Sequence, residues 1–372
     1  MSKSNILIIL PFFTLGGAET QAFNLAKGLK IKGFNVTVIA FEEKNKKLIP
    51  KLEEAGISWD VAKLDLSIVH SKSKFKFIQL IKFIFYLRSF KPDYLFPFTY
   101  YPNIICSSIW RFTGAKNCYW NQRGMETIGI NFIEKLAIWQ KPKYISNSIS
   151  GANFISIRHK IDQNKVQVIS NGLNVKPAYL SQEDWRKKLN IQPDEKIVTQ
   201  VANFYPEKNH LYLIQAWKLF TQKYLNYKLV LVGYAPNEIH LNKAKALVYD
   251  LGLNNVIFLN SENDITGLLS VANIGILVSS SEGCPNTILE YMHAKVPVIA
   301  SDISPVKEVL GTNYPYLVDL NNTKDLKDKL DEMVNQTNFD DLFQSYDSIL
   351  NTKYTNEKMI KAYLKLVSNE FN

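Results

Sequence analysis

The chain has 372 residues, of which 46% are hydrophobic, and it carries a formal net charge of +10. This length exceeds one ordinary domain and suits two domains of roughly 180 residues, with enough apolar residues for two cores. An uncharged run of about 18 apolar residues is absent from the sequence, and so is a full signal-peptide pattern. We therefore expect neither a transmembrane helix nor a leader.

The positive charge admits three kinds of partner: nucleic acid, an anionic membrane surface or phosphorylated ligands. The sequence shows no nucleic-acid motif, and its lysines are spread widely, which favours the other two. Its three cysteines, Cys106, Cys118 and Cys284, have neither a CxxC pairing nor a metal-binding spacing. We expect a cytoplasmic protein, able to lie peripherally on the inner face of the plasma membrane, without a metal or a nucleic-acid partner.

The N-terminal segment predicts a βαβ unit. Residues 5–10 indicate an apolar strand, residues 18–32 a helix and residues 36–41 a second strand. The turn before the helix contains Gly16 and Gly17, which let a ligand approach the backbone closely, although a plain tight turn has the same composition. Since GxGxxG is absent, the turn is not a dinucleotide fingerprint.

Residues 72–91 form a basic, aromatic and strongly apolar helix candidate. Its polar residues, Lys72, Lys76, Gln79 and Lys82, gather on a narrow side. Two interpretations remain open: a helix that lies among lipid headgroups, or a crossover helix packed on the sheet with a basic edge.

Arg123 follows the strand predicted at residues 117–120. A loop at a strand end lies at the ligand-binding edge of an open α/β sheet. An arginine stays charged at pH 7 and cannot act as a base. Arg123 is therefore a candidate to bind a phosphate or an acidic acceptor group, or a residue in a surface ion pair.

The clearest pattern is the stretch 274–302, which predicts strand, loop, helix and strand. Glu282 and Glu290 have seven residues between them, and Pro285 is placed near the first helical position. Free amides at the helix start favour an anion, and two carboxylates can accept hydrogen bonds from hydroxyls. The pattern suits a diphosphate sugar, but a capped crossover helix with Glu290 in solvent remains open.

The segment SSSEGCPNTILEYMHAKVPVIASD resembles the signature of the retaining family 4 glycosyltransferases (glycosyl transferases group 1), which have the GT-B fold. The resemblance implies an α/β protein with two Rossmann-like parallel-sheet domains facing across a cleft. The acceptor-side domain would span residues 1–175 and the nucleotide-sugar-binding domain residues 176–352. A C-terminal helix over residues 353–372 would pack back on the first domain.

The same resemblance implies roles for individual residues. Glu290 would hold the ribose hydroxyls, Glu282 and the amides of residues 283–286 would hold the transferred sugar, and Lys208 would neutralise the leaving diphosphate. Lys208 and Glu282 are the implied catalytic residues, and Arg123 is assigned to the acceptor side. The implied donor-binding residues are Gly16, Gly17, Asn203, Lys208, Glu282, Gly283, Cys284, Asn286, Thr287 and Glu290.

Two positions depart from the family pattern. Asn203 stands where the family usually has a diphosphate-binding Arg, and Arg123 stands where many members have a His near the reacting sugar. A lone Lys208 offers a point charge instead of a bidentate fork. Either Arg123 supplies the second cation, or the diphosphate is held more weakly.

The resemblance implies a retaining, metal-independent hexosyltransferase with no cofactor, the nucleotide sugar being a substrate. It would move a hexose or N-acetylhexosamine, from a UDP-sugar sooner than a GDP-sugar, to a glycan or polyprenyl-diphosphate-linked acceptor in bacterial surface polysaccharide synthesis of the capsule or O-antigen type. The alternatives are a GT-B sugar-nucleotide 2-epimerase and a non-catalytic sugar-nucleotide-binding partner.

Overall fold

The structure is a computed structural model that describes residues 4–43, 46–65, 75–125 and 129–368. The chain divides into two compact units. Unit 1 comprises Met1–Gly172 together with Thr355–Asn372, and unit 2 comprises Leu173–Tyr354. Each unit is built on a parallel sheet covered by helices, which confirms the predicted α/β class.

Unit 1 contains a seven-stranded parallel sheet in the order β3-β2-β1-β4-β5-β6-β7. One of its inner strands, NILIIL, is almost wholly buried, as expected where helices cover both faces. The strands are β1 (Asn5–Leu10), β2 (Asn35–Ala40), β3 (Ser58–Val61), β4 (Tyr94–Pro97), β5 (Asn117–Gln122), β6 (Lys143–Ser146) and β7 (Val166–Val168).

Helices cover unit 1 on two faces, each with its own apolar cluster. The helices in chain order are α1 (Gly17–Ile31), α2 (Ile49–Glu54), α3 (Phe75–Ser89), α4 (Tyr100–Ile109), α5 (Phe132–Trp139) and α6 (Ile149–His159).

Unit 2 contains a six-stranded parallel sheet in the order β10-β9-β8-β11-β12-β13. Its strands are β8 (Lys196–Val201), β9 (Tyr227–Val232), β10 (Val256–Leu259), β11 (Ile274–Leu277), β12 (Val298–Ser301) and β13 (Leu317–Val318). Its helices are α7 (Gln182–Lys188), α8 (His210–Phe220), α9 (Glu238–Asp250), α10 (Ile265–Leu269), α11 (Asn286–His293), α12 (Ser304–Leu310), α13 (Thr323–Asn335) and α14 (Asp340–Lys353).

The strand orders place one topological switch point in each sheet. In unit 1 the chain moves outward from β1 in both directions, so the switch lies between β1 and β4. In unit 2 it lies between β8 and β11. Ligands of open α/β sheets bind outside the carboxyl ends of the strands at such points.

The last helix, α15 (Asn356–Ser368), packs within unit 1. It buries Met359, Tyr363 and Val367 in the same apolar cluster as α1. The fit is close at Gly28, where a Cβ would lie 2.2 Å from the Cδ1 of Ile360. A side chain at position 28 would therefore require the Ile360 side chain to move.

Helix α3 packs on the sheet with one side and exposes aromatic residues on the other. Leu80, Phe83 and Leu87 are buried in the helix-covered core, as a crossover helix requires. On the outer side, the side chains of Phe77 and Phe85 are 70% and 66% exposed. Residues 72–74 lie outside the described part of the chain. Among the described residues, no helix is long and apolar enough to span a bilayer.

Asp264 connects the start of unit 2 to α10. Its carboxylate accepts hydrogen bonds from the backbone N–H groups of Tyr179 (3.1 Å), Leu180 (2.9 Å) and Gly267 (3.0 Å), and from the indole of Trp185 (2.9 Å). Burial acts to raise the pKa of this carboxyl, but the four donors outweigh it and the pKa is lowered.

We expect Asp264→Ala to lower the free energy of unfolding of unit 2 by about 3 kcal/mol, because several buried donors lose their acceptor. Since the folded-state pKa is depressed, the stabilisation exists above the ordinary carboxyl pKa and is lost as the pH falls. Chemical denaturation at pH 7 measures the effect, with the exposed Asp250→Ala as control. Equal losses for the two variants would contradict the prediction.

Candidate functional site

In unit 2, the loops that follow β8 and β11 meet at the switch point. The backbone N–H of Ser280 donates to the carbonyl of Glu207 at 2.8 Å, and the side-chain amide of Asn209 donates to the carbonyl of Val278 at 2.9 Å. Gln200, inside β8, donates to the carbonyl of Lys208 at 3.1 Å. These hydrogen bonds fix the two loops against each other.

An ion pair joins the two loops. The Nζ of Lys208 lies 2.5 Å from Oε1 of Glu282, and the two side chains are only 18% and 13% exposed. Water and salt screen such a pair weakly. The two residues predicted to be catalytic thus lie in contact, 74 positions apart in the sequence.

The helix predicted after Glu282 is α11, which begins at Asn286. Pro285 caps it with φ −75° and ψ 91°, so the proline stands one position before the first helical residue. The hydroxyl of Thr287 donates to the carbonyl of Val201 at 3.0 Å, which holds the helix start beside the end of β8. Gly283 is buried, and Cys284 and Asn286 are half-buried, in this junction. The first amides of a helix lack intrahelical acceptors, and these lie just after Glu282.

Glu290 lies on α11 and is half-buried. Among the described residues its carboxylate has neither a hydrogen bond nor an ion pair, and burial raises its pKa to about 7. A carboxylate in this situation is short of hydrogen-bond donors, and bound hydroxyl groups could supply them. The alternative of a fully solvated Glu290 is therefore wrong.

Asn203 is engaged by the protein itself. Its Oδ1 accepts a hydrogen bond from the backbone N–H of Tyr234 at 3.0 Å, which joins the loops after β8 and β9. The neighbouring Gly233 permits this approach, because a Cβ there would lie 2.0 Å from the carbonyl oxygen of Ala202. At the position of the family's arginine, this chain has a neutral residue that holds a loop.

The structure adds His210, which the sequence pattern did not single out. It is buried in the first turn of α8, two residues after Lys208, and stacks on Phe204 with ring centroids 4.3 Å apart. Burial lowers the pKa of His210 to about 4, so the ring is neutral at pH 7, and its Nε2 is buried without a partner in the described chain. The sequence did contain one hint to the start of this helix, Asn209, because asparagine tolerates the left-handed backbone better than most residues. In the structure Asn209 has φ 51° and joins the turn that carries Lys208 to α8.

At the switch point of unit 1, Gly16 caps α1 and Gly17 is its first residue. The side chain of Glu19 lies so close that a Cβ on Gly16 would be 2.6 Å from its Oε2. Burial raises the pKa of Glu19, although hydrogen bonds from the turn oppose the shift.

Beyond β4, on the other side of this switch point, Thr99 has φ 72°, an unfavourable backbone for a β-branched residue. Strain of this kind is common at ligand sites.

Arg123 lies beyond β5 in unit 1. Its guanidinium stands 4.6 Å from the ring centroid of Phe98 and donates to Oδ1 of Asn171 (2.8 Å) and to the hydroxyl of Tyr363 (2.5 Å). Among the described residues, which leave out 126–128, its partners are neutral, so the surface ion pair considered for it stays a prediction. The contact of Arg123 with Tyr363 of α15 could not be predicted from the sequence, because 240 positions separate the two residues.

Two Rossmann-like units with parallel sheets define the GT-B class of fold. The Anabaena protein HepE, solved with UDP and glucose, aligns with 98% of this chain and 100% of its own at a TM-score of 0.80 and 17% identity. At that identity the likeness shows the fold alone.

Residues 181–347 match the family model described as glycosyl transferases group 1. This match covers most of unit 2 and confirms the predicted resemblance to the group 1 glycosyl transferases.

Two curated relatives are similar over part of the chain. An uncharacterized glycosyltransferase of Haemophilus influenzae is 27% identical over 173 residues, which are 46% of this chain and 48% of the relative. The UDP-Gal:alpha-D-GlcNAc-diphosphoundecaprenol alpha-1,3-galactosyltransferase of Escherichia coli is 27% identical over 166 residues, 43% of each chain. The chain thus spans about half the length of these relatives.

Proposed function

We propose that this protein is a retaining, metal-independent glycosyltransferase. It transfers a hexose or N-acetylhexosamine from a nucleotide sugar, UDP- in preference to GDP-, to a glycan or polyprenyl-diphosphate-linked acceptor in surface polysaccharide synthesis. The observation that carries the proposal is the contact of Lys208 with Glu282 at the switch point of unit 2, beside the start of α11.

The residues at this switch point match the charges of a nucleotide sugar. Lys208 supplies a cation for the diphosphate, and the first amides of α11 add partial positive charge. The carboxylate of Glu290, which has no partner in the described part of the chain, supplies acceptors for the ribose hydroxyls. Glu282 supplies a second carboxylate, for the hydroxyls of the transferred sugar. These groups would thus bind the diphosphate through positive charge, and the two sugar rings of the ligand through carboxylates.

The reaction we propose depends on a change of partner at Lys208. Without a donor, Lys208 is neutralised by Glu282. A bound diphosphate competes for the lysine and leaves Glu282 to accept hydrogen bonds from the sugar. As the glycosidic bond breaks, negative charge grows on the leaving diphosphate, and a fixed cation stabilises that charge most in the transition state. The acceptor hydroxyl attacks the anomeric carbon from the same face and passes its proton to the leaving diphosphate oxygen, so the configuration is retained and a nucleoside diphosphate is released.

The donor site proposed here has one lysine and no arginine at Asn203, whose side chain holds Tyr234. This observation favours a second candidate function, a protein that binds a nucleotide sugar without transferring it. Arg123 would be the acceptor-side cation, since its contacts with Phe98, Asn171 and Tyr363 hold the guanidinium in place. The E. coli relative acts on a diphosphoundecaprenol substrate, which supports a lipid-linked acceptor.

The proposed place of action is the cytoplasmic membrane surface. The exposed Phe77 and Phe85 of α3 stand beside Lys82 on one helix and suit contact with lipid headgroups. No metal and no cofactor take part in the proposed reaction.

The first test is a thermal-shift screen of UDP-, GDP-, ADP- and dTDP-sugars. We expect the matching donor at 100 times its Kd to stabilise unit 2 by about 2.7 kcal/mol, and Glu290→Ala to remove most of the shift. The exposed Glu238→Ala is the matched control. Absence of any shift would argue against both candidate functions.

Product analysis separates the candidates. A nucleoside diphosphate released only when an acceptor is present indicates transfer, and binding without release with any acceptor indicates the non-catalytic function. A free epimerised sugar would identify a 2-epimerase instead.

A further inference from the structure

A cavity of about 550 Å³ opens in unit 1 at the amino ends of β6 and β7. Arg123 and Asn171 follow the carboxyl ends of β5 and β7, so they lie at the opposite end of the same parallel strands. The volume falls within the range of small-molecule sites. The cavity is therefore distinct from the switch point of unit 1.

The lining of the cavity is strongly basic. Four lysines contribute to it, Lys141, Lys143, Lys160 and Lys165, and none of its described lining residues is acidic. The carboxylate of Glu134, buried nearby, is already bound by Arg158 and His159. The exposed Asp162 accepts a hydrogen bond from the backbone N–H of Asn164. The cavity thus presents an excess of positive charge.

Helix ends explain only half of these lysines. Lys141 follows the end of α5 and Lys160 caps α6, where a cation complements the helix dipole. Lys143 begins β6, with its Nζ 5.5 Å from the ring centroid of Tyr119, and Lys165 ends a short turn before β7. Neither of these two lysines lies at the end of an α-helix.

The rest of the lining is largely apolar. Ile138, Pro142, Ile161 and Leu366 contribute to it. Beside the cavity, on the last turn of α5, Trp139 is 72% exposed. A free phosphate would use only the lysines, whereas an amphiphile would use the lysines and the apolar surface. An exposed tryptophan next to cations is typical of the membrane interface.

We propose that this cavity binds an anionic phospholipid of the membrane surface. The lysines hold the phosphate, and the apolar residues contact the glycerol and the first carbons of the acyl chains. The described residues 75–125 and 129–165 contain thirteen Lys or Arg and three Asp or Glu. This excess of positive charge favours an anionic membrane surface as the source of the phosphate group.

The test is flotation of the full-length protein with vesicles of phosphatidylcholine containing 30 mol% phosphatidylglycerol. The double variant Lys160→Gln/Lys165→Gln removes two lining lysines. Gln167→Trp fills the cavity without changing its charge. The control, Lys243→Gln/Lys245→Gln, removes two exposed lysines from α9 in unit 2. Thermal unfolding verifies that each variant is folded.

We expect the vesicle partition coefficient to fall about ten-fold or more in the lysine variant and in Gln167→Trp, and less than about three-fold in the control. Equal losses in the two double variants would show a bulk charge effect and overturn the proposal. Full binding by Gln167→Trp would overturn it as well. None of these measurements uses turnover, so the result is independent of the proposed transferase activity.

Competition identifies the source of the phosphate. Dihexanoyl phosphatidylglycerol, kept below its micelle concentration, is expected to displace the protein from vesicles at concentrations at least ten-fold lower than glycerol 3-phosphate. Equal potency of the two compounds would assign the cavity to a free phosphate compound and overturn the lipid assignment.

Discussion

Lys208→Met is expected to lower kcat for sugar transfer about 10²–10³-fold, with a smaller effect on donor binding. The side chain is 18% exposed, and its only ion-pair partner among the described residues is Glu282. In the proposed reaction this cation meets a charge that grows as the diphosphate leaves, and removal of one such group typically costs this factor. Methionine keeps an unbranched side chain of nearly the same length and removes the terminal ammonium group.

The controls for this prediction separate charge from packing. Lys208→Arg keeps the charge but changes its geometry, and we expect it to recover part of the lost rate. Lys187→Ala removes an exposed lysine from the same unit and is expected to leave kcat within about two-fold. If Lys208→Met kept full kcat while KM alone rose, the lysine would bind ground state and transition state equally, and its catalytic assignment would be wrong.

Glu290 is expected to make donor binding depend on pH. Burial raises its pKa in the free protein to about 7, whereas ribose hydroxyls donate to the ionised carboxylate. Binding below pH 7 must therefore release a proton, and the association constant should rise about ten-fold per pH unit below 7 and level off above it. The phosphates of a nucleotide sugar are diesters that stay ionised throughout, so they add no slope.

Isothermal titration calorimetry between pH 5 and pH 8 measures this slope. Glu290→Gln is expected to bind more weakly at pH 8, by about 10–100-fold, and to show a flat profile. The same slope in wild type and Glu290→Gln would assign the titration to another group and contradict the role of this carboxylate.

The raised pKa also predicts the sign of a stability effect. A carboxyl that binds its proton more tightly in the folded state favours folding less as the pH rises from about 4.5 to about 7. The loss is at most about 3 kcal/mol, and smaller because the carboxylate is partly exposed. Glu290→Gln should remove this part of the pH dependence of unfolding for the protein without ligand.

The sequence alone was enough to predict the class of fold. Short, continuous and β-branched apolar runs such as residues 6–10 and 274–278, separated by helical segments, indicate strands buried on both faces of a parallel sheet. The resemblance to the group 1 glycosyl transferases could also be predicted, because the residues that carry it lie within one local βαβ unit, residues 274–302. Local periodicity and turn chemistry decide such features, and they are written along the chain.

Tertiary structure decided which side chains meet. Contact between Lys208 and Glu282 depends on the pairing of β8 with β11, and that between Arg123 and Tyr363 on the return of α15 to unit 1. Burial likewise determines that Glu290 holds its proton tightly and that His210 stays neutral. A sequence lists the charges and the hydrogen-bonding groups, but their distances and their exposure to water follow only once the sheets have formed.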